Sequence, residues 1–169
     1  MQSHVIVNVS HPNNQLDTHP YLINFLNGTY DVMQARLRAH DRKDLFTKLI
    51  PYPYHVDAKA DRFRQFITEI FPDNKPLQKY VQQMAGYFFT GDQSNKCFMY
   101  FWGNDGDNGK TLLSDVLLKA AGEYGYPAPI SLILETKHQQ HPVDTACLRG
   151  MRFVTISETK EDAKLNEGA

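Results

Sequence analysis

Residues 97–121 restrict the fold of this chain more than any other stretch. They run from an unbroken apolar segment (CFMYFW, residues 97–102) through a turn of Gly, Asn and Asp to an amphipathic segment, Lys110 to Ala121. An apolar run without alternation is what a strand covered on both faces requires, as in a parallel sheet. Leu112, Leu113, Val116, Leu117 and Ala120 recur at helical spacing, and Gly122 and Gly125 end the pattern. Strand, glycine turn and helix in that order predict an α/β nucleotide-binding core with a mostly parallel sheet.

The turn reads Gly103-Asn104-Asp105-Gly106-Asp107-Asn108-Gly109-Lys110-Thr111 and closes on the Gly-Lys-Thr of a Walker A loop. Phosphate chemistry asks for these residue types. Gly106 and Gly109 let backbone N–H groups approach phosphate oxygens. Lys110 places one ammonium between the β- and γ-phosphates, and the Thr111 hydroxyl is a hard oxygen ligand for Mg²⁺. The helix from Lys110 aims its positive end at the same charge. ATP with Mg²⁺ is therefore the expected ligand. It is held by Gly103, Asn104, Asp105, Gly106, Asp107, Asn108, Gly109, Lys110, Thr111 and Leu112, with Lys110 also catalytic. Asn104 stands where the motif has its first Gly, and Asn is the next most tolerant of positive φ. Asp105 and Asp107 have to face solvent or metal. A plain surface loop with a chance Gly-Lys-Thr is the alternative, and the strand before and helix after argue against it.

Such ATPases also place a carboxylate at the end of another strand, to hold Mg²⁺ and orient water. RFVTI, residues 152–156, predicts that strand. Glu158, one residue past Ser157, is the candidate catalytic and Mg²⁺-binding acid, with Glu161 and Asp162 next in line.

Upstream, residues 1–20 are a polar lead-in with a possible short strand over 4–9. YLINFLNGTYDV (21–32) predicts two extended pieces around the turn dipeptide Asn27-Gly28. Residues 36–46 are charged and predicted to lie on the surface, and Pro51-Tyr52-Pro53-Tyr54 excludes helix. Helices are predicted over 58–71 and 77–89, with Arg62, Arg64 and Lys79 on a solvated face rather than a DNA or partner contact. A boundary after residue 95 separates a mainly helical domain (1–95) from the P-loop core (96–169). Within the core, 130–134 predicts a short strand, 136–142 a polar loop, 144–148 a short helix and 157–167 an acidic tail.

Eighteen Lys and Arg against 19 Asp and Glu give a net charge of -1, which neither favours nor excludes nucleic acid. Cys97 and Cys147 lack metal-ligand spacing and are expected to be reduced, buried side chains. His138 and His141 have no third ligand. There is no leader-like start, and no apolar run approaches the roughly 20 residues of a membrane helix, so a cytoplasmic protein with no membrane partner is expected.

Gly106-x-Asn108-Gly109-Lys110-Thr111 resembles the phosphate loop of superfamily 3 helicases. Leu148-Arg149-Gly150-Met151-Arg152-Phe153-Val154 through Ser157-Glu158 resembles the stretch around their Walker B strand. Leu26-Asn27-Gly28-Thr29-Tyr30-Asp31-Val32, Asp44-Leu45-Phe46-Thr47 and Ala85-Gly86-Tyr87-Phe88-Phe89-Thr90-Gly91 resemble the domain preceding the ATPase in poxvirus- and phage-type primase-helicases. The resemblance implies an AAA+-like ATPase that forms a hexameric ring, draws single-stranded DNA through its centre and opens duplex at a replication fork. Walker A roles fall on Gly106, Asn108, Gly109, Lys110 and Thr111, and the Walker B role on Glu158. It also implies a further strand, a polar sensor, a DNA-contacting hairpin and an arginine beyond the Walker B strand. None precedes Ala169, so an incomplete core is expected, prone to aggregate and weak in hydrolysis, with residues 1–95 better behaved alone because their helices close on themselves. The competing class is a nucleotide-dependent oligomerisation or DNA-binding module without unwinding activity. A small-molecule kinase is disfavoured, since only Arg149 and Arg152 follow the loop.

Overall fold

The computed structural model of the chain describes residues 16–95, 97–103, 108–132 and 147–156. The predicted turn at Asn27 forms a hairpin of β1 (Leu22–Phe25) and β2 (Gly28–Asp31), with Phe25 opposite Gly28, so Leu26 and Asn27 make the loop. Gly28 therefore serves the strand rather than the turn. A Cβ there would lie 2.5 Å from the Arg38 carbonyl oxygen, so glycine permits the close approach of β3 (Arg36–Arg38), antiparallel to β2.

Residues 36–46 lie largely at the surface, as predicted, but one of them is buried. Asp44, which ends a 3-10 turn at Arg42–Asp44, is 6% exposed. The Arg38 guanidinium donates to both its carboxylate oxygens, at 2.6 and 2.9 Å, and the buried Thr29 hydroxyl donates at 3.3 Å. Burial pushes the Asp44 carboxyl up, but the Arg38 fork and Thr29 outweigh it and hold the group below its usual range. A depressed folded-state pKa contributes stability above the unfolded value, and that stability is lost as pH falls through the folded value. Asp44→Asn should cost about 2–3 kcal/mol at neutral pH, at the low end for a buried pair because Arg38 is 29% exposed. The variant should also lose less stability on acidification than the parent. Identical urea midpoints for the two proteins at neutral pH would remove this account of Asp44.

Two helices follow close to the predicted limits, α1 (Asp61–Ile70) and α2 (Lys75–Phe89). The second begins earlier than predicted because the Asn74 side chain accepts the Leu77 N–H as a cap, and Pro76 is tolerated in a first turn that needs no N–H from it. α3 (Lys110–Ala121) has the predicted limits, with Gly109 before it and Gly122 after it. Its buried stripe is Leu113, Leu117 and Ala121, whereas Leu112, Val116 and Ala120 are exposed. The two sets are offset by one position, so both satisfy helical spacing and only packing chooses between them.

The strand expected over 130–134 is displaced. β4 forms earlier, at Gly125–Ala128, and pairs in parallel with β5 (Phe153–Ile156), Tyr126 opposite Val154. Gly122 breaks α3 at φ 55, and a Cβ on Gly125 would meet the Leu118 carbonyl oxygen at 2.9 Å, so the chain turns back close against the helix it leaves. Residues 130–132 form a 3-10 turn, and 133–134 lie outside the described residues, as do the expected elements at 4–9, 136–142 and 157–167 and most of 144–148.

Residues 97–102 do not form the expected strand: among the described residues they join no β-ladder. Phe98, Tyr100 and Trp102 are exposed, at 82%, 71% and 71%, while Met99 and Phe101 pack on the helical core. The alternation is that of a segment covered on one face only. Cys97 at its start and Cys147 are exposed, not buried as the sequence suggests.

Packing centres on two clusters. Phe66 of α1 and Val81 of α2 meet Leu113, Leu117 and Ala121 of α3 and Phe153 of β5. Phe153 lies near-parallel to Phe89, with ring centroids 6.2 Å apart. The second cluster places Tyr124 against Ile23 and Ile50. Each draws residues from both sides of position 95, so α1 and α2 do not close on themselves: the faces they bury rest on α3 and β5. The described chain is thus mixed α/β, an antiparallel meander and two helices followed by α3 and a two-stranded parallel sheet. No helix among the described residues is long and apolar enough to cross a membrane.

Candidate nucleotide-binding site

Gly109 is the residue on which the site turns. It adopts φ 78, ψ 5 immediately before α3, a left-handed conformation that favours glycine. Space demands glycine as well, since a Cβ would lie 2.7 Å from Ile70 Cγ2 and 3.1 Å from the Phe66 ring. The helical segment α1 therefore presses directly on the backbone of the loop. The Leu113 N–H makes the bond to the Gly109 carbonyl, at 2.9 Å, that starts the ladder. The N–H groups of Lys110, Thr111 and Leu112 precede it and have no carbonyl of the helix four residues behind them.

Lys110 Nζ donates to Asn108 Oδ1. Gly103 closes the group: a Cβ on it would overlap the Asn108 amide and lie 3.3 Å from Lys110 Nζ. Thus Gly103, Asn108 and Lys110 meet although 103 and 110 stand at opposite ends of the turn. The Thr111 and Leu112 side chains are exposed on the first turn of α3. Asn104, Asp105, Gly106, Asp107 and Glu158 lie outside the described residues. The strand expected to precede Glu158 is present as β5 and ends at Ile156.

Among the described residues, no cluster of three His, Cys, Asp or Glu side chains forms a cation site. Two concavities among the described residues are lined by no residue of the loop. One, of about 520 Å³, is beside β3, and one of about 540 Å³ lies between α1, α2 and α3.

Arg152 is the residue that sequence reasoning missed. Its guanidinium donates to three backbone carbonyls, Leu22 at 2.8 Å, His19 at 3.1 Å and Phe89 at 3.3 Å, and lies 4.4 Å from the centroid of the Tyr124 ring. Its own N–H donates to the Tyr124 carbonyl at 2.8 Å. Burial pushes its pKa down from the ordinary value, against the opposing fields of Tyr124 and Asp17. One side chain at the foot of β5 thereby ties that strand to the meander and to the end of α2. Nothing local in the sequence signals this, because the acceptors are backbone groups more than sixty residues away.

Residues 2–72 match the family described as D5 N terminal like. The chain is homologous to viral proteins named as putative helicases. It is 22% identical to putative helicase 184R of Invertebrate iridescent virus 6, over 96% of this chain and 17% of the relative. It is 27% identical to putative helicase L207/L206 of Acanthamoeba polyphaga mimivirus, over 90% of this chain and 16% of the relative. With putative helicase 121R of Invertebrate iridescent virus 3 the identity is 29%, over 57% of this chain and 11% of the relative. The chain spans about a sixth or less of the length of these relatives.

Proposed function

We propose that residues 103–112 bind the phosphates of ATP, and that the chain serves in an ATP-dependent DNA helicase of the superfamily 3, primase-helicase kind. The observation that carries this reading is the left-handed Gly109 at the head of α3, with Lys110 as the first helical side chain. Backbone N–H groups of Lys110, Thr111 and Leu112 then donate to phosphate oxygens at the positive end of the helix. Lys110 exchanges Asn108 Oδ1 for the β- and γ-phosphates, a stronger, charge-assisted partner. The exposed Thr111 hydroxyl fits one ligand position of a hard cation, and Glu158, following β5, would supply the carboxylate. A Mg²⁺ ion held by Thr111 and Glu158 would supply neutralisation of phosphate charge. The relatives are named as putative helicases, which supports the helicase part of this reading; to it we add hydrolysis coupled to movement along single-stranded DNA at a fork, in a homohexamer.

The exposed row Phe98, Tyr100 and Trp102, with Leu112 and Val116 also exposed, favours a second reading, nucleotide-dependent oligomerisation without unwinding. Stimulation of ATP turnover by single-stranded DNA separates the two, being expected only of the helicase.

Titration of a fluorescent ATP analogue with Mg²⁺ tests the binding claim. Lys110→Ala should weaken binding by about 100-fold or more, roughly 2.7 kcal/mol, with an unchanged circular dichroism spectrum. Equal affinity in parent and variant would remove this reading.

A further inference from the structure

The concavity between α1 and α2, floored by α3, has no part in the site just described. Its lining joins the half-buried Ile67 and Ala85 to the core residues Val81, Leu113 and Leu117, with the polar Thr68, Gln78 and Gln82 among them. Its rim is cationic: Arg64 stands on α1, Lys75 and Lys79 on α2, all three exposed, and no carboxylate lines it. Among the described residues none of these three cations is in an ion pair, whereas the neighbouring Arg62 meets Glu69 at 3.1 Å. Lys75 and Lys79 are one turn apart at the start of α2, whose first turn carries no acidic residue. A helix disfavours cations at that end, because its own dipole is positive there. Three cations thus line one groove without a carboxylate partner in it, although Asp61 and Asp73 stand near them in sequence, in a chain whose net charge is -1.

We propose that this groove docks an amphipathic helix of a partner protein, its apolar face on the aliphatic floor and its flanking carboxylates against Arg64, Lys75 and Lys79. The floor decides between this and a nucleic-acid strand. Single-stranded nucleic acid binds where successive bases find aromatic platforms. Phe63 is the single aromatic side chain lining this groove. An aliphatic trough instead suits apolar anchors at helical spacing, and a basic rim then selects acidic over basic helices.

The test is fluorescence anisotropy on the full chain with a labelled synthetic peptide, Leu along one helical face and Glu on both flanks. A scrambled peptide of the same composition and a short oligothymidylate are measured beside it. The helical peptide should bind at least tenfold more tightly than its scramble. The Lys75→Glu/Lys79→Glu double variant should weaken it at least tenfold, and Arg64→Glu should weaken it in the same direction. Affinity for the fluorescent ATP analogue should not change, so failure here is distinguishable from failure of the nucleotide site. Three results would each overturn the proposal. The first is equal affinity for the helical peptide and its scramble. The second is charge reversals that weaken only the oligothymidylate, which makes the groove a nucleic-acid surface. The third is sedimentation of dimers that the same reversals dissolve, which makes its occupant a second copy.

Discussion

Cut after residue 95, the chain is expected to lose cooperative folding. The apolar faces of α1 and α2 are buried by Leu113, Leu117 and Phe153, and Ile23 and Ile50 by Tyr124. Withdrawing these four large side chains, at about 1.5–3 kcal/mol each, removes stabilisation comparable to the roughly 5–15 kcal/mol that holds a typical domain together. Polar ties go with them. The Tyr124 hydroxyl donates to the Lys48 carbonyl at 3.2 Å, and Glu123 accepts the Leu49 N–H at 2.8 Å. Residues 1–95 should therefore show a broad, non-cooperative urea transition and weak near-ultraviolet dichroism. This reverses the expectation that residues 1–95 behave better alone because their helices close on themselves. A single sharp transition with a midpoint near that of the full chain would show that the helices are self-sufficient.

Arg152→Ala should be the most damaging single substitution outside the loop. It leaves three carbonyls without their donor and removes the cation from the Tyr124 ring. Groups stranded in this way cost about 1–3 kcal/mol each, tempered here by partial exposure, so a loss of about 3–5 kcal/mol is expected. In a chain of this length that lowers Tm by about 10–15 °C. Arg152→Lys should recover little of the loss, since an ammonium on a flexible stem does not reproduce a planar fork reaching three acceptors. A thermal melt of Arg152→Ala within a degree or two of the parent would mean that water replaces the guanidinium at no cost.

The legible parts of this fold are those with chemical punctuation. α3 begins and ends where Gly109 and Gly122 say it should, and the hairpin sits at Leu26-Asn27 beside the predicted turn residue. The left-handed Gly109 before Lys110 was legible for the same reason, since a glycine that ends a turn acts on the backbone locally. What remained illegible depends on partners distant in sequence. A charged stretch such as 36–46 looks solvated until Arg38 folds back onto Asp44. An apolar run such as 97–102 records that something covers it, but not on how many faces. Leu112 and Leu113 carry identical side chains, and only the position of α1 and α2 decides which of them is buried.

The exposure of Trp102 has an optical consequence. The chain contains one tryptophan against nine tyrosines, so its tryptophan emission reports from a single place. That place adjoins Gly103, which packs against Asn108 and Lys110. With Trp102 71% exposed, the free protein is expected to emit from a polar, collision-accessible environment, open to quenching by iodide or acrylamide. Any rearrangement that takes Lys110 off Asn108 and onto a phosphate alters the packing one residue from the fluorophore. The protein thus carries, without labelling, a probe one residue from Gly103 with which the proposed binding of nucleotide can be followed.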